Sequence, residues 1–112
     1  MIQKFTDRRD YRVQANFLAQ LTMEDHRPEY GLVSDISLGG MKLLLHQRLA
    51  PETKLIIEFK QGATTVSLPA VCCWSRPIGI TCHEFYTGVS FTKLEAENYQ
   101  QLRTIIYQLA GR

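Results

Sequence analysis

Hydrophobic and polar residues alternate one by one along the first part of the chain. Between residues 11 and 21 the odd positions are apolar and most even positions are polar, the odd positions being Tyr11, Val13, Ala15, Phe17, Ala19 and Leu21. A period of two residues is typical of a β-strand with one buried face. The segment from Glu24 to Glu29 contains Pro28 and ends the pattern.

Five further apolar segments, separated by turn residues, predict five more strands. They span Tyr30 to Ile36, Met41 to Leu45, Lys54 to Lys60, Val66 to Trp74, and Ile80 to Phe91, the last with a break near Gly88. The turns between them contain Gly39-Gly40, Ala50-Pro51, Gln61-Gly62 and the segment from Arg76 to Gly79. Short strands at near-regular spacing, with no strand–helix–strand units, predict an antiparallel barrel of six strands.

The period changes at the C-terminal end. Thr92 and Glu95 have the spacing of a capping box, which predicts a helix over about residues 93 to 110. Its apolar positions share one helical face, and they are Tyr99, Leu102, Ile105, Ile106 and Leu109. Gly111 would end the helix. The predicted fold class is therefore all-β dominated, a six-stranded antiparallel β-barrel with one C-terminal α-helix packed on it or covering one end.

The composition fits one folded domain. The chain has 112 residues, of which 45% are hydrophobic and 21% charged. Residues 1 to 12 are polar and charged where a secretory signal would be apolar, and no segment approaches the roughly 20 apolar residues of a membrane-spanning helix. We therefore expect a cytoplasmic protein without membrane insertion.

Three cysteines are too few and too irregularly spaced for a disulfide framework. A reducing cytosol with free thiols accounts for them. Cys72, Cys73, Cys82 and His83 are close in sequence, but neighbouring residues on a strand point to opposite faces. We therefore expect no metal site.

The small net charge of +2 does not indicate a nucleic acid polymer as partner. The excess of basic residues lies within the first twelve positions, where Lys4, Arg8, Arg9 and Arg12 outnumber Asp7 and Asp10. This distribution indicates a local anion-binding site. We interpret residues 1–12 as a flexible basic arm that precedes a domain spanning residues 11–112.

Catalytic signatures are missing from the sequence. It contains no Gly-x-Ser-x-Gly elbow, no His-Glu-x-x-His motif and no P-loop. His26, His46 and His83 are scattered over predicted turns and a strand. We therefore do not expect an enzyme, and a small hydrolase with an unrecognised site stays as an alternative.

Two short motifs stand out instead. In the first, Arg8 and Arg12 are four residues apart, and the second runs from Asp35 through Ser37 to Gly40 and reads D-x-S-x-x-G. Together they resemble the two signatures of the PilZ domain, R-x-x-x-R and [D/N]-x-S-x-x-G, in their order and in their separation of about two strands. The segment Gly88-Val89-Ser90-Phe91 is similar to the last barrel strand of that family, so the resemblance extends over nearly the whole chain.

The resemblance implies a bacterial receptor for cyclic di-GMP, with no other cofactor. It implies a ligand site formed by Arg8, Arg9, Arg12, Asp35, Ser37, Gly39 and Gly40. The chemistry is suitable, because a guanidinium fork matches the O6 and N7 acceptors of guanine and also pairs with phosphate. Asp35 could accept from the guanine N1–H and N2–H₂ groups, Ser37 could donate or accept, and the two glycines would let the ligand approach the backbone.

The expected signal passes to another protein. Ligand binding would order the basic arm against the barrel, and a partner would read the change through the barrel surface or through the helix face around Tyr99 and Leu102. We expect a monomer or a weak homodimer that acts on an effector protein. The alternative is a degenerate PilZ-like adaptor that binds no nucleotide, for example in pilus assembly.

Overall fold

The computed structural model describes residues 11–81 and 83–111, which contain six strands and one helix. In chain order these are β1 (Val13–Met23), β2 (Glu29–Ile36), β3 (Gly40–Leu45), β4 (Lys54–Gln61), β5 (Thr64–Pro77), β6 (Phe85–Phe91) and α1 (Ala96–Ala110). The strands form a closed barrel in the order β1-β2-β3-β6-β5-β4, and all neighbours are antiparallel. The predicted fold class is confirmed.

Most strand boundaries differ from the predictions by no more than two residues, and those of β5 and β6 differ by more. Strand β5 continues to Pro77, so Arg76 lies in a strand and not in the predicted loop. Strand β1 begins at Val13, and the Tyr11 side chain is 56% exposed, so its predicted burial is wrong. Strand β6 begins at Phe85 and is continuous through Gly88, whereas residues 78–81 lie in a loop, where the Ile78 amide donates a 2.9 Å hydrogen bond to the Glu84 carbonyl. Ile80 is 97% exposed in this loop, so its apolar character did not indicate a strand.

The barrel interior is filled by the inward side chains of the alternating strands. On β4, Leu55, Ile57 and Phe59 are buried as predicted, while the residues between them are exposed. The ring of Phe59 packs on Phe17 of β1 with centroids 5.1 Å apart. Because the two sides of each strand differ in this way, the outer surface of the barrel remains available for polar side chains.

Helix α1 packs against β1 and β5. Leu102, Ile105, Ile106 and Leu109 are buried on its inner face, and Gly111 ends the helix, both as predicted. The capping box is wrong, because Glu95 occupies the N-cap position without a side-chain hydrogen bond to the backbone. Lys93 instead attracts the Glu95 carboxylate, with a distance of 3.2 Å between Nζ and Oε2.

Across the described residues, no helix has both the length and the apolar character needed to cross a bilayer.

Candidate functional site

The turn between β2 and β3 is built around the hydroxyl of Ser37. Its Oγ accepts hydrogen bonds from the amides of Gly39 (3.1 Å) and Gly40 (3.2 Å) and donates to the Gly40 carbonyl (3.4 Å). The Ser37 amide donates to the same carbonyl at 2.8 Å. A serine hydroxyl has one donor and two acceptor sites, so all three are engaged within the turn. Ser37 is 1% exposed and therefore shapes the turn.

Gly40 is required by the neighbouring strand. A Cβ at this position would collide with the carbonyl oxygen of Val89 on β6, and it would lie 3.2 Å from the Cα of Ser90. The amide of Phe91 also donates to the Gly39 carbonyl at 2.9 Å. A tight turn and ligand approach are the roles predicted for the two glycines, whereas the structure gives Gly40 a packing role in the β3–β6 pairing.

The two sequence motifs meet at an ion pair. Arg12 lies directly before β1, and the β1–β2 register places Gln14 opposite Asp35. One guanidinium nitrogen of Arg12, Nη1, lies 2.7 Å from Asp35 Oδ1, and Lys42 Nζ of β3 lies 3.8 Å from Asp35 Oδ2. The Asp35 carboxylate, with a side chain 21% exposed, thus holds two cations at the outer surface of the barrel.

An aromatic side chain forms the opposite part of the site. Trp74 of β5 lies opposite Gly88 of β6, and Gly88 in turn lies opposite Lys42. A Cβ on Gly88 would collide with the indole of Trp74, so only glycine leaves room for the ring. The guanidinium carbon of Arg76 lies 4.7 Å from the indole centroid, within the range of a cation–π contact.

These groups border a cleft of about 680 Å³ on the outer face of the barrel. Its volume is within the range of roughly 300–1,000 Å³ that is usual for small-molecule sites. Within the described residues it is lined by Arg12, Asp35, Ser37, Leu38, Gly39, Met41, Lys42, Cys73, Trp74, Gly88, Val89, Ser90, Phe91, Thr92 and Leu94.

Most of the predicted ligand residues that the structure describes line this cleft. Arg12, Asp35, Ser37 and Gly39 border it, Gly40 lies beside it in the turn, and the predicted Arg8 and Arg9 lie outside the described residues. Sequence reasoning missed the lining residues Lys42 and Trp74. A signal for Trp74 existed in Gly88, because a glycine inside a strand often marks a close approach by another group.

Charge and hydrogen-bonding groups in the cleft suit an anionic purine nucleotide. Among the described lining residues, Arg12 and Lys42 are cationic and Asp35 is anionic, so positive charge exceeds negative charge. The cleft also offers a planar guanidinium, a carboxylate acceptor and an indole ring, which are groups that recognise nucleotide bases. None of the three histidines borders the cleft in the part of the chain that the structure describes.

The two adjacent cysteines differ in environment. Cys72 is buried, and this burial raises the pKa of its thiol, as does the neighbouring Cys73. Cys73 is exposed and borders the cleft. The expected opposite orientation of the two side chains is confirmed, and among the described residues no cluster of three or more His, Cys, Asp or Glu side chains could hold a metal ion.

Known structures share this barrel. The PilZ domain of YcgR from Escherichia coli, solved with c-di-GMP, has a TM-score of 0.76 at 21% identity, over 95% of this chain and 93% of that chain. The Bacillus subtilis inhibitor of motility MotI/DgrA has a TM-score of 0.69 at 24% identity, over 99% of this chain and 54% of that chain. For apo MrkH of K. pneumonia the TM-score is 0.73 at 13% identity, over 89% of this chain and 50% of that chain.

Sequence comparison identifies the family. No curated protein matches the chain by sequence. The family model described as "PilZ domain" matches residues 6–108, a range that includes the Arg8–Arg12 motif, the Asp35–Gly40 motif and most of α1. Because this match extends over nearly the whole sequence and the barrel agrees with it, the chain belongs to the PilZ domain family.

Proposed function

We propose that this protein is a receptor for cyclic di-GMP, bound in the cleft on the outer face of the barrel. The observation that carries the proposal is the 2.7 Å contact between Arg12 and Asp35, which joins two motifs that are 23 residues apart in sequence. The solved YcgR domain and a solved MrkH structure contain c-di-GMP, and both have this fold. Their ligand supports the same assignment for this chain.

Each group has a partner on the ligand. The Arg12 guanidinium would bind a phosphate or the O6 and N7 acceptors of guanine, and Asp35 would accept from N1–H and N2–H₂. The indole of Trp74 provides a face on which a guanine would stack, which is worth about 1–3 kcal/mol per base.

The ligand would have to replace the existing ion pair. The side chain of Arg12 is 52% exposed, and exposed ion pairs contribute only about 0–1 kcal/mol. A guanine that offers two donors to Asp35 and two acceptors to a guanidinium contributes more interaction free energy than this ion pair. The Arg12–Asp35 contact therefore costs little to open and holds both side chains near their ligand-binding positions until then.

The basic arm would complete the site. Of residues 1–12, only Tyr11 and Arg12 are among the described residues, so Arg8 and Arg9 enter as proposals from the family motif. We expect the arm to change its environment on binding and a partner protein to read that change. Backbone NMR spectra with and without cyclic di-GMP test this step, and unchanged resonances at residues 4 to 12 would contradict it.

Cyclic di-GMP receptors of this kind would act in the cytoplasm, where the free thiols of Cys72 and Cys73 stay reduced. We expect the protein to be a monomer or weak homodimer that binds an effector protein. Sedimentation of the purified protein with and without cyclic di-GMP checks the oligomeric state, and a tight dimer in both conditions would contradict it.

Isothermal titration with cyclic di-GMP tests the proposal directly. Wild type should bind, and Arg8→Ala and Arg12→Ala should each weaken binding by about 1–3 kcal/mol, because one forked contact is lost. Arg103→Ala is the matched control, since its guanidinium lies over Tyr107 on α1 and does not border the cleft. No binding by wild type would favour the nucleotide-free adaptor, and a linear product after incubation would show a hydrolase.

A further inference from the structure

The outer surface of the barrel carries a row of apolar side chains where polar ones are usual. Leu18 of β1, Leu32 of β2, Leu44 of β3 and Tyr86 of β6 lie opposite one another in successive strand pairs. Leu18 is 61% and Tyr86 39% exposed, and Tyr30, two residues before Leu32, is 63% exposed. We call these five residues the apolar stripe.

The stripe is not part of the barrel core. Its side chains alternate with buried neighbours such as Val33 and Leu43, which are 0% exposed and fill the interior. On β4 the exposed positions are mostly charged, with Lys54, Glu58 and Lys60. Contiguous apolar surface on a small soluble domain commonly marks an interaction site.

Positive charge is concentrated at the Tyr86 end of the stripe. Arg76 of β5 lies opposite Tyr86 in the strand register, and Lys42 Nζ lies 4.9 Å from the centroid of the Tyr86 ring. At the other end, Leu18 and Tyr30 border a groove that contains both Lys60 and Glu58. The charges there oppose each other, so the Tyr86 end is the more basic of the two.

We propose that the apolar stripe is the docking surface for an amphipathic segment of a partner protein, with aliphatic side chains on the stripe and carboxylates at Arg76 and Lys42. Four adjacent strands at about 4.8 Å spacing extend over roughly 14 Å. Two to three turns of helix cover this distance. An amphipathic helix that lays its apolar face on such a surface is a common mode of peptide recognition.

Lys42 connects this surface with the ligand cleft. Its Nζ lies 3.8 Å from Asp35 Oδ2 and also contacts the Tyr86 ring. This step rests on the proposed function: a guanine that donates to Asp35 withdraws the carboxylate from Lys42 and leaves Lys42 free for a carboxylate of the partner. Cyclic di-GMP therefore strengthens docking, by roughly fivefold or more if the coupling is of the usual size.

The docking surface is tested by selection from a phage-displayed library of random peptides. Peptides of about 16 residues are long enough to form a helix that exceeds the stripe. The library is first depleted on Leu18→Ser and then selected on wild type. Enriched peptides should combine aliphatic residues at helical spacing with Asp or Glu. Labelled copies should bind Leu18→Ser, Tyr30→Ser and Arg76→Glu at least tenfold more weakly, but Ile80→Ser equally well, because Ile80 is 97% exposed and lies off the stripe.

Three results would overturn the docking proposal: no enrichment that depends on Leu18, enrichment of basic peptides, or a wild-type dimer in sedimentation that Leu18→Ser dissociates.

The coupling is tested without any nucleotide by Asp35→Asn, which should strengthen peptide binding because Lys42 loses its anion. Unchanged affinity in Asp35→Asn would refute the coupling. Peptide binding by a protein that shows no heat with cyclic di-GMP would refute the receptor function alone, and the opposite result would refute the docking surface alone.

Discussion

At the scale of single residues, the site depends on two glycines, which leave space for groups on neighbouring strands. Gly88 leaves the space that the Trp74 indole occupies, and Gly40 leaves the space for the Val89 carbonyl. Both glycines lie in strands, and neither has a positive φ. Their role is close packing between strands, and it places the indole beside the cleft.

Gly88→Ala should displace the Trp74 ring from the cleft. The new methyl group would overlap the indole, and overpacking of this kind costs about 1–3 kcal/mol of unfolding free energy. The sequence contains one tryptophan, so intrinsic fluorescence reports on this ring alone. We expect a shifted emission spectrum and weaker binding of cyclic di-GMP. Gly111→Ala is the control, because its Cβ would make only ordinary contacts, and equal spectra for the two variants would contradict the argument.

Cys72 should make the stability of the protein fall at alkaline pH. Burial raises the pKa of its thiol above the ordinary value of 9.0, so above that value the unfolded chain loses the proton more readily than the folded protein. The thiol is protonated in both states at lower pH, where it has no effect. Urea unfolding from about pH 8 to about pH 10.5 should therefore show a decline of at most about 1.4 kcal/mol per pH unit from this group. The decline should be smaller in Cys72→Ala, and equal slopes would refute the assignment.

Residues whose side-chain chemistry suits a ligand could be predicted for the site, whereas residues that reach it only through strand pairing could not. Arg12 and Asp35 carry their function in the side-chain type and motif spacing, and the structure brings them together. The role of Ser37 within its turn depends on hydrogen bonds to its own backbone neighbours. Lys42 and Trp74 border the cleft because of strand register, which the residues adjacent to them in sequence do not specify; Gly88, the cross-strand partner of Trp74, was the one available signal.

At the scale of elements, periodicity predicted which segments are strands and which is a helix. The prediction was successful for β4, where burial alternates with a period of two, and for α1, where the buried residues share one helical face. It failed at residues 78–81, where Ile80 is apolar but exposed. The boundary of β1 was also misjudged, since Tyr11 continues the alternation without being buried.

The N-terminus of α1 offers a gain in stability. Glu95 occupies the N-cap position with an extended backbone, but its side chain makes no hydrogen bond to the first helical amides. Glu95→Asp keeps the negative charge near the helix N-terminus and brings a carboxylate of the length preferred at N-caps. We expect unfolding free energy to rise by about 0.5–1 kcal/mol in urea titrations. Glu97→Asp is the control, because it makes the same change in the first turn of the helix and not at the N-cap, and it should not raise the unfolding free energy. An equal rise in both variants would argue against capping.

At the scale of the whole molecule, closure of the barrel decides where the site lies. Strand β1 pairs with both β2 and β4, and β3 pairs with β6, so segments far apart in sequence share one outer face. The cleft draws on residues from 12 to 94, and the apolar stripe crosses three of the strands that line it, β2, β3 and β6. The proposed ligand and the proposed partner would therefore bind to neighbouring rows of one sheet, with Lys42 between them.

Ligand binding to this folded surface should raise the thermal stability of the entire domain. The cleft requires the closed barrel, so cyclic di-GMP would bind the native state and not the unfolded chain. At a free concentration of about one hundred times Kd, the gain is about 2.7 kcal/mol, which corresponds to a rise in Tm of roughly 10 °C. Cyclic di-AMP is the matched control ligand, because adenine has an amino donor where guanine has the O6 acceptor. Equal rises in Tm with both nucleotides would mean that the site recognises only phosphate charge, and Arg12→Ala should then abolish both rises. A rise in Tm with cyclic di-GMP alone would mean that Arg12 and Asp35 recognise the guanine edge.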